Sequence, residues 1–60
     1  MISELMVMHS NAGYYIGREL TTLDDGFVVP YSRDSIEYYP SRSKAQIALD
    51  EGSYTLRPNP

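Results

Sequence analysis

The chain has no cysteine in its 60 residues, and this absence restricts its fold more than any other feature. A chain of this length buries only about 60% of the surface that its unfolded form exposes, so small domains often depend on disulfides or metals. Without cysteine, neither a disulfide framework nor a thiolate metal site can form. We therefore expect one small domain over residues 1–60, stabilised by its own apolar core.

The first half of the chain carries signals for three strands. Residues 5–8 are an unbroken apolar run that ends in turn-forming residues up to Gly13. Residues 14–20 read as a second strand with alternating faces. An Asp-Gly pair at residues 25–26, directly before the apolar residues 27–29, predicts an antiparallel hairpin between the second and third strands.

The third strand should end at Pro30, because proline cannot donate a ladder hydrogen bond. Residues 31–40 show no helical period, so we expect mostly loop, with room for a short extended piece at residues 36–39. In such a loop Asp34 and Glu37 would be solvated charges. They would resemble a paired-carboxylate site only if this segment were helical.

One helix is expected, from around residues 41–43 to Gly52. Ser43 and Gln46 have the spacing of a capping box, and Gly52 suits the left-handed conformation that ends a helix. The helix carries a narrow stripe of small apolar side chains: Ala45, Ala48 and Leu49. Small side chains allow a helix to lie close on a sheet.

Residues 53–57 alternate as in a last strand, which Pro58 and the following residues would end. The element order β-β-β-α-β predicts an α+β fold. We expect a small antiparallel or mixed sheet of three to four strands with one short helix packed on one face. The face that the helix leaves uncovered must be polar or occupied by a partner.

The charges on the predicted helix oppose its dipole. Arg42 and Lys44 lie at its N-terminal end, and Asp50 and Glu51 at its C-terminal end, each the less favourable arrangement. Local rules broken without compensation often mark functional surfaces, so this helix could present its charges and Ile47 to a partner. Salt bridges from the loops to the helix ends would explain the pattern equally well.

Several function classes are excluded by the sequence. His9 is the only histidine, and no nucleophile-and-base pair, phosphate loop or metal-ligand spacing accompanies it, so we expect no enzyme, cofactor or metal. The net charge of -3 argues against direct nucleic-acid binding. No signal peptide or membrane-length apolar run is present, which favours a cytoplasmic protein.

Tyrosine and arginine are the side chains that favour a binding function. The chain has six tyrosines, and Tyr14 and Tyr15 point to opposite faces of a strand, so one ring should be exposed. Tyr and Arg are enriched at binding hot spots, although tyrosine also fills small cores with its hydroxyl at the edge. The expected partner-binding residues are Tyr15, Tyr31, Arg33, Tyr39, Arg42, Ile47 and Arg57.

In size and element order, with the segment Tyr54-Thr55-Leu56-Arg57-Pro58 after the helix, the chain resembles small accessory proteins of bacteriophages. It is similar to phage proteins that bind and inhibit bacterial RNA polymerase, and it also resembles phage inhibitors of bacterial defence nucleases. The resemblance implies a non-enzymatic, phage-encoded protein that blocks a host protein in the bacterial cytoplasm, with Arg57 at the interface. The alternative is a self-associating accessory protein that forms a homodimer through its open sheet or apolar edge strand.

Overall fold

The computed structural model, which describes residues 1–58, contains three strands and one helix. These elements are β1 (Met6–Ser10), β2 (Gly13–Thr21), β3 (Val28–Arg33) and α1 (Arg42–Glu51). The strands form one antiparallel sheet in the order β1-β2-β3. The fold is therefore the expected α+β class, with the antiparallel form of the sheet.

A tight turn connects β1 to β2. Ser10 pairs with Gly13, so the turn itself needs only the two residues between them. This is possible because Gly13 adopts a positive φ of 130°, which glycine tolerates without a steric penalty. As a result β1 continues to Ser10, beyond the strand predicted at residues 5–8.

The hairpin between β2 and β3 forms where the sequence predicts it. The Thr22 backbone N–H donates to the Phe27 carbonyl oxygen at 2.9 Å, and the Gly26 N–H donates to the Thr22 carbonyl at 3.0 Å. Gly26 has a φ of 69°, the left-handed conformation for which the Asp-Gly pair is selected. The hairpin prediction is confirmed.

The prediction that Pro30 ends the third strand is wrong, since β3 continues to Arg33. Pro30 lies opposite Glu19, and the Glu19 carbonyl accepts a hydrogen bond from Ser3, on the side of β2 away from β3. Backbone groups alternate in direction along a strand, so at this pair both residues point their backbone groups outward. The Pro30 nitrogen therefore faces the free edge of the sheet, where β2 requires no donor.

Residues 31–40 are more ordered than the predicted loop. The N–H groups of Asp34 and Ser35 both donate to the Ile16 carbonyl, at 2.8 and 3.0 Å. Further on, Tyr39 and Tyr14 exchange two backbone hydrogen bonds of 2.6 and 2.9 Å. This segment therefore follows the edge of β2, because β2 is longer than β3 and offers unpaired backbone groups beyond it.

The helix ends as predicted but begins with a different cap. Ser41 is the extended N-cap residue, and its hydroxyl accepts a hydrogen bond from the Lys44 N–H at 3.2 Å. Ser43 lies inside α1, so the expected capping box with Gln46 does not form. Gly52 adopts the left-handed conformation with a φ of 67°, which confirms the predicted C-terminus.

The core lies between α1 and the strands β1 and β2. Val7 and Ile16 pair directly across these strands, so their side chains share one face. Tyr14 lies on the same face, and Arg42 of α1 reaches over its ring, which places the helix on this side. Ile16 is completely buried. The buried helix residues are Ala45 and Ala48, as the small-residue stripe predicts, whereas Leu49 of the same stripe is half-buried.

The fourth strand predicted at residues 53–57 is not formed, so within residues 1–58 the element order is β-β-β-α. Leu56 makes a single antiparallel bridge with Ser35. Two backbone hydrogen bonds flank it, from Ile36 to Thr55 at 2.8 Å and from Arg57 to Asp34 at 2.7 Å. The prediction that residues 58–60 stop this segment lies partly outside the described residues, at Asn59 and Pro60.

Candidate functional site

Tyr15 does not belong to the surface, contrary to the expectation of an exposed ring. Its residue exposure is 7%, and its ring meets the Tyr38 ring edge-on with 5.9 Å between centroids. Gly17, two residues along the same face of β2, makes room for the Tyr15 ring, which would contact any Cβ at that position. Burial and the nearby Tyr38 raise the pKa of Tyr15, whereas Arg33 opposes this shift.

Arg33 and Arg57 are held by contacts within the chain. The Arg33 guanidinium lies 4.7 Å from the centre of the Tyr38 ring and donates a hydrogen bond to its hydroxyl. Arg57 is expected at the interface, but it is half-buried and donates to the Arg33 carbonyl at 3.1 Å. These side chains stabilise the fold around residues 33–38.

A second aromatic group joins the start of α1 to the turn between β1 and β2. His9 stacks on Tyr14 with 4.5 Å between ring centroids, and the Arg42 guanidinium lies 5.4 Å from the Tyr14 centroid. A cation over an aromatic face is favourable, so Arg42 has a partner despite its position at the positive end of the helix dipole. The one ion pair within residues 1–58 joins Arg18 and Asp34, so loop salt bridges do not explain the helix charges.

The remaining predicted binding residues lie on separate elements. Tyr39 is half-buried, and burial together with the nearby Glu37 raises its pKa. Ile47 is 54% exposed on α1, and Tyr31 is 54% exposed on β3. Among the described elements, α1 contacts β1 and β2 but not β3, so the structure does not bring Ile47 and Tyr31 together.

The largest group of exposed apolar side chains lies instead on the β2–β3 hairpin. We define the hairpin surface by its five residues: Leu23, Phe27, Val28, Val29 and Tyr31. Their exposed fractions run from 40% at Val29 to 89% at Leu23. Ile2, which is 49% exposed, pairs with Leu20 beside the hairpin and adds to the apolar area. Val28 and Val29 are neighbours on β3 and point to opposite faces of the sheet, so the exposed apolar side chains lie around the hairpin on both faces. Several exposed apolar side chains on one element mark interaction sites more often than single exposed ones do.

Sequence reasoning missed four of these five residues. Phe27, Val28 and Val29 have the pattern of a buried strand, and Leu23 lies in the predicted turn. The signal that could have found them is the length of α1, which has ten residues. A helix of this length spans about 15 Å and cannot cover two strands and a long hairpin at once. Since β1 and β2 take the helix, the hairpin end of β3 is left without cover.

Charge is distributed unevenly along the hairpin. Asp24 and Asp25 are exposed in the turn at its tip, where they lie between Leu23 and Phe27. At the other end lies Arg18, whose side chain is 38% exposed. The tip therefore carries two acidic side chains, whereas the base carries the Arg18 guanidinium beside the less exposed Asp34.

An open cleft of about 490 Å³ lies at the base of the hairpin surface and is lined by Arg18, Tyr31, Ser32 and Asp34. Asp34 accepts a hydrogen bond from the Ser32 hydroxyl at 2.5 Å, and its second oxygen is 3.8 Å from Arg18 Nε. Arg18 also donates to the Ser3 carbonyl at 2.9 Å. A β-bulge between Arg18 and Glu19 places Tyr31 as the extra residue at the rim.

Neither a cluster of metal ligands nor a membrane-spanning helix is found among residues 1–58. Within residues 1–58, no three His, Asp or Glu side chains come close enough to hold a metal ion together. No helix in that range has the length and apolar character needed to cross a bilayer. Asp24 and Asp25 lie in the hairpin turn, and His9 is engaged with Tyr14.

No protein-family model, no curated protein and no solved structure matches this chain.

Proposed function

We propose that this chain is a non-enzymatic binding protein that blocks part of a partner protein with its hairpin surface. The observation that carries the proposal is the exposure of Leu23, Phe27 and Tyr31 by 89%, 66% and 54% on one hairpin. Full burial of a side chain such as Leu or Phe contributes about 1.5–3 kcal/mol. A few buried side chains account for most of the affinity of a typical interface, and tyrosine is among the residue types enriched there.

The partner is bound by side chains and not by addition of a strand to β3. The free edge of β3 includes Pro30, whose nitrogen faces outward and carries no hydrogen. A pairing strand would lose a ladder hydrogen bond there, as in edges that are protected against strand addition. Leu23 and Phe27, at the tip of the hairpin, lie beyond this edge and remain free to enter a pocket.

The partner surface is an apolar pocket with basic side chains at its rim. Asp24 and Asp25 lie between Leu23 and Phe27 in the turn, so they would meet the rim when the apolar side chains enter the pocket. The net charge of -3 also favours a partner with basic side chains, since complementary charge accelerates encounter and rejects wrong partners. The resemblance to small bacteriophage inhibitors supports a bacterial host protein, with RNA polymerase and defence nuclease complexes as the first candidates.

A homodimer is the second candidate, because β3 is an edge strand with exposed apolar residues. Two copies joined through β3 would form a continuous sheet across the interface. Pro30 counts against this arrangement, because its nitrogen faces the free edge and cannot donate a hydrogen bond to a pairing strand. Light scattering over a dilution series separates the two candidates, since a heterologous binder remains a monomer alone.

The test compares three forms of the immobilised chain for binding of purified bacterial RNA polymerase and, separately, of proteins from a bacterial lysate. They are the wild type, the double variant Leu23→Ser with Phe27→Ser, and Leu56→Ser. Leu56 is the matched control, because it is also exposed, by 61%, but lies outside the hairpin. We expect a discrete complex that the double variant weakens by at least about tenfold and that Leu56→Ser retains.

Equal binding by the double variant would contradict the proposal. A wild-type dimer that persists on dilution and dissociates in the double variant would assign the hairpin surface to a second copy of the chain instead.

A further inference from the structure

The geometry points to a carboxylate-binding subsite in the cleft at the base of the hairpin surface. Arg18 would bind the carboxylate of an acidic side chain from the partner, and Tyr31 would contact the apolar stem of that side chain. This inference rests on the proposed function, since it describes how a partner on the hairpin surface is recognised. It adds a specific contact and an orientation to what is otherwise an apolar surface.

Arg18 is placed to accept such a ligand. A guanidinium has five N–H donors, and within residues 1–58 the hydrogen bond that Arg18 makes goes to the Ser3 carbonyl. Its Nε is 3.8 Å from Asp34 Oδ2, which is an ion-pair distance and not a hydrogen bond. The side chain is held at two points and still has donors for a planar, bidentate acceptor.

Asp34 does not offer the cleft an equivalent site for a cation. Its side chain is 13% exposed, against 38% for Arg18, so an incoming group meets the guanidinium first. One Asp34 oxygen already accepts the Ser32 hydroxyl at 2.5 Å. Asp34 therefore acts as a positioning residue that holds Arg18 at the cleft.

The cleft and the hairpin tip together define a direction on the surface. Asp24 and Asp25 at the tip select basic groups of the partner, whereas Arg18 at the base selects an acidic one. Tyr31 belongs both to the hairpin surface and to the cleft lining, so the two parts are continuous. With Asp24 and Asp25 at one end of the hairpin and Arg18 at the other, complementary charges on the partner fix the orientation in which it binds.

The test is an NMR titration of ¹⁵N-labelled wild-type protein with three blocked dipeptides, Leu-Glu, Leu-Gln and Leu-Lys. We expect Leu-Glu to shift the Arg18 side-chain Nε–Hε signal and the Tyr31 ring signals, with an affinity at least about fivefold above that of Leu-Gln. The Nε–Hε signal of Arg42, which lies on α1 over the Tyr14 ring and away from the cleft, serves as the internal control and should shift less. Arg18→Gln should remove the preference for Leu-Glu while leaving the far-ultraviolet spectrum unchanged.

Equal affinities for Leu-Glu and Leu-Gln would overturn the inference, as would equal shifts at Arg18 and Arg42. Tighter binding of Leu-Lys would also overturn it, because Asp34 would then be the recognition group. The wild-type comparison does not depend on the folding of any variant. It is also independent of the capture experiment: loss of partner binding in the Leu23 and Phe27 variant tests the hairpin surface, whereas the dipeptides test only the cleft.

Discussion

Apolar side chains are buried at one end of the sheet and exposed at the other. At the end covered by α1, Ile16 has no exposed surface and Ala45 is fully buried against the strands. At the hairpin end, Leu23 and Phe27 are 89% and 66% exposed. The difference shows that the core of this chain is limited by the reach of one short helix, and that the apolar residues beyond it remain exposed.

The largest expected effect tests this contrast directly, by truncating one residue in each region. Ile16→Ala should lower the free energy of unfolding by about 2–5 kcal/mol, because it leaves a cavity in the core. Leu23→Ala should change it by less than about 0.5 kcal/mol, since the side chain is already in water. Urea unfolding monitored by circular dichroism measures both. Similar losses in the two variants would mean that the hairpin is packed in solution and would break the comparison.

The next effect concerns the sheet at the point where packing is closest. A Cβ at Gly17 would overlap the Ser32 backbone carbonyl and press on the Tyr15 ring, so Gly17→Ala should cost about 1–3 kcal/mol. Gly26→Ala is the control in the hairpin, where a Cβ would meet nothing within 4 Å and only the positive φ is unfavourable, by about 1 kcal/mol. Thermal unfolding of the two variants compares crowding with backbone strain. A larger loss at Gly26 would contradict the close approach at Gly17.

A smaller effect tests the start of α1. Ser41→Ala removes the hydroxyl that accepts the Lys44 N–H and should cost about 1 kcal/mol. Ser43→Ala should be neutral or slightly stabilising, because Ser43 lies inside the helix, where alanine has the better propensity. The same unfolding measurements apply. A larger loss of stability in Ser43→Ala than in Ser41→Ala would indicate that Ser43 is the N-cap, as the predicted capping box requires.

The smallest effect is local and depends on pH. Glu37 accepts the Thr55 backbone N–H at 2.9 Å, and this hydrogen bond lowers the pKa of Glu37 below its ordinary value. A carboxyl with a lowered pKa in the folded state stabilises the protein above its unfolded pKa, about 4.3 for glutamate, and this contribution disappears as the pH falls through the folded value. We therefore expect the attachment of residues 53–57 to weaken only in acid.

The Thr55 amide signal in NMR spectra recorded over the acidic range reports this change. It should titrate in the wild type with a midpoint below the ordinary glutamate value, and it should not titrate in Glu37→Gln. A midpoint at or above the ordinary value would show that the hydrogen bond is absent in solution.

Much of the candidate site could not be predicted from the sequence, for two reasons. Residues 27–29 have the same local pattern whether a helix covers them or not, so their exposure is invisible in the sequence. The sequence predicts that Tyr15 is exposed, because adjacent strand residues point to opposite faces and the single predicted helix covers only one face of the sheet. In the structure both faces of β2 are covered at this position, one by α1 and the other by contacts with Tyr38. Tyr31 is the one predicted binding residue that belongs to the hairpin surface.

The features that the sequence alone determined are those set by local backbone preferences. The Asp-Gly turn at Gly26 and the left-handed end of α1 at Gly52 follow from the freedom of glycine at positive φ. Only the tertiary structure decided that Pro30 could lie within β3, because this depends on whether β3 is at the edge of the sheet. It also decided which apolar residues are buried. That depends on where the ten-residue helix α1 packs, because the helix is too short to cover the whole sheet.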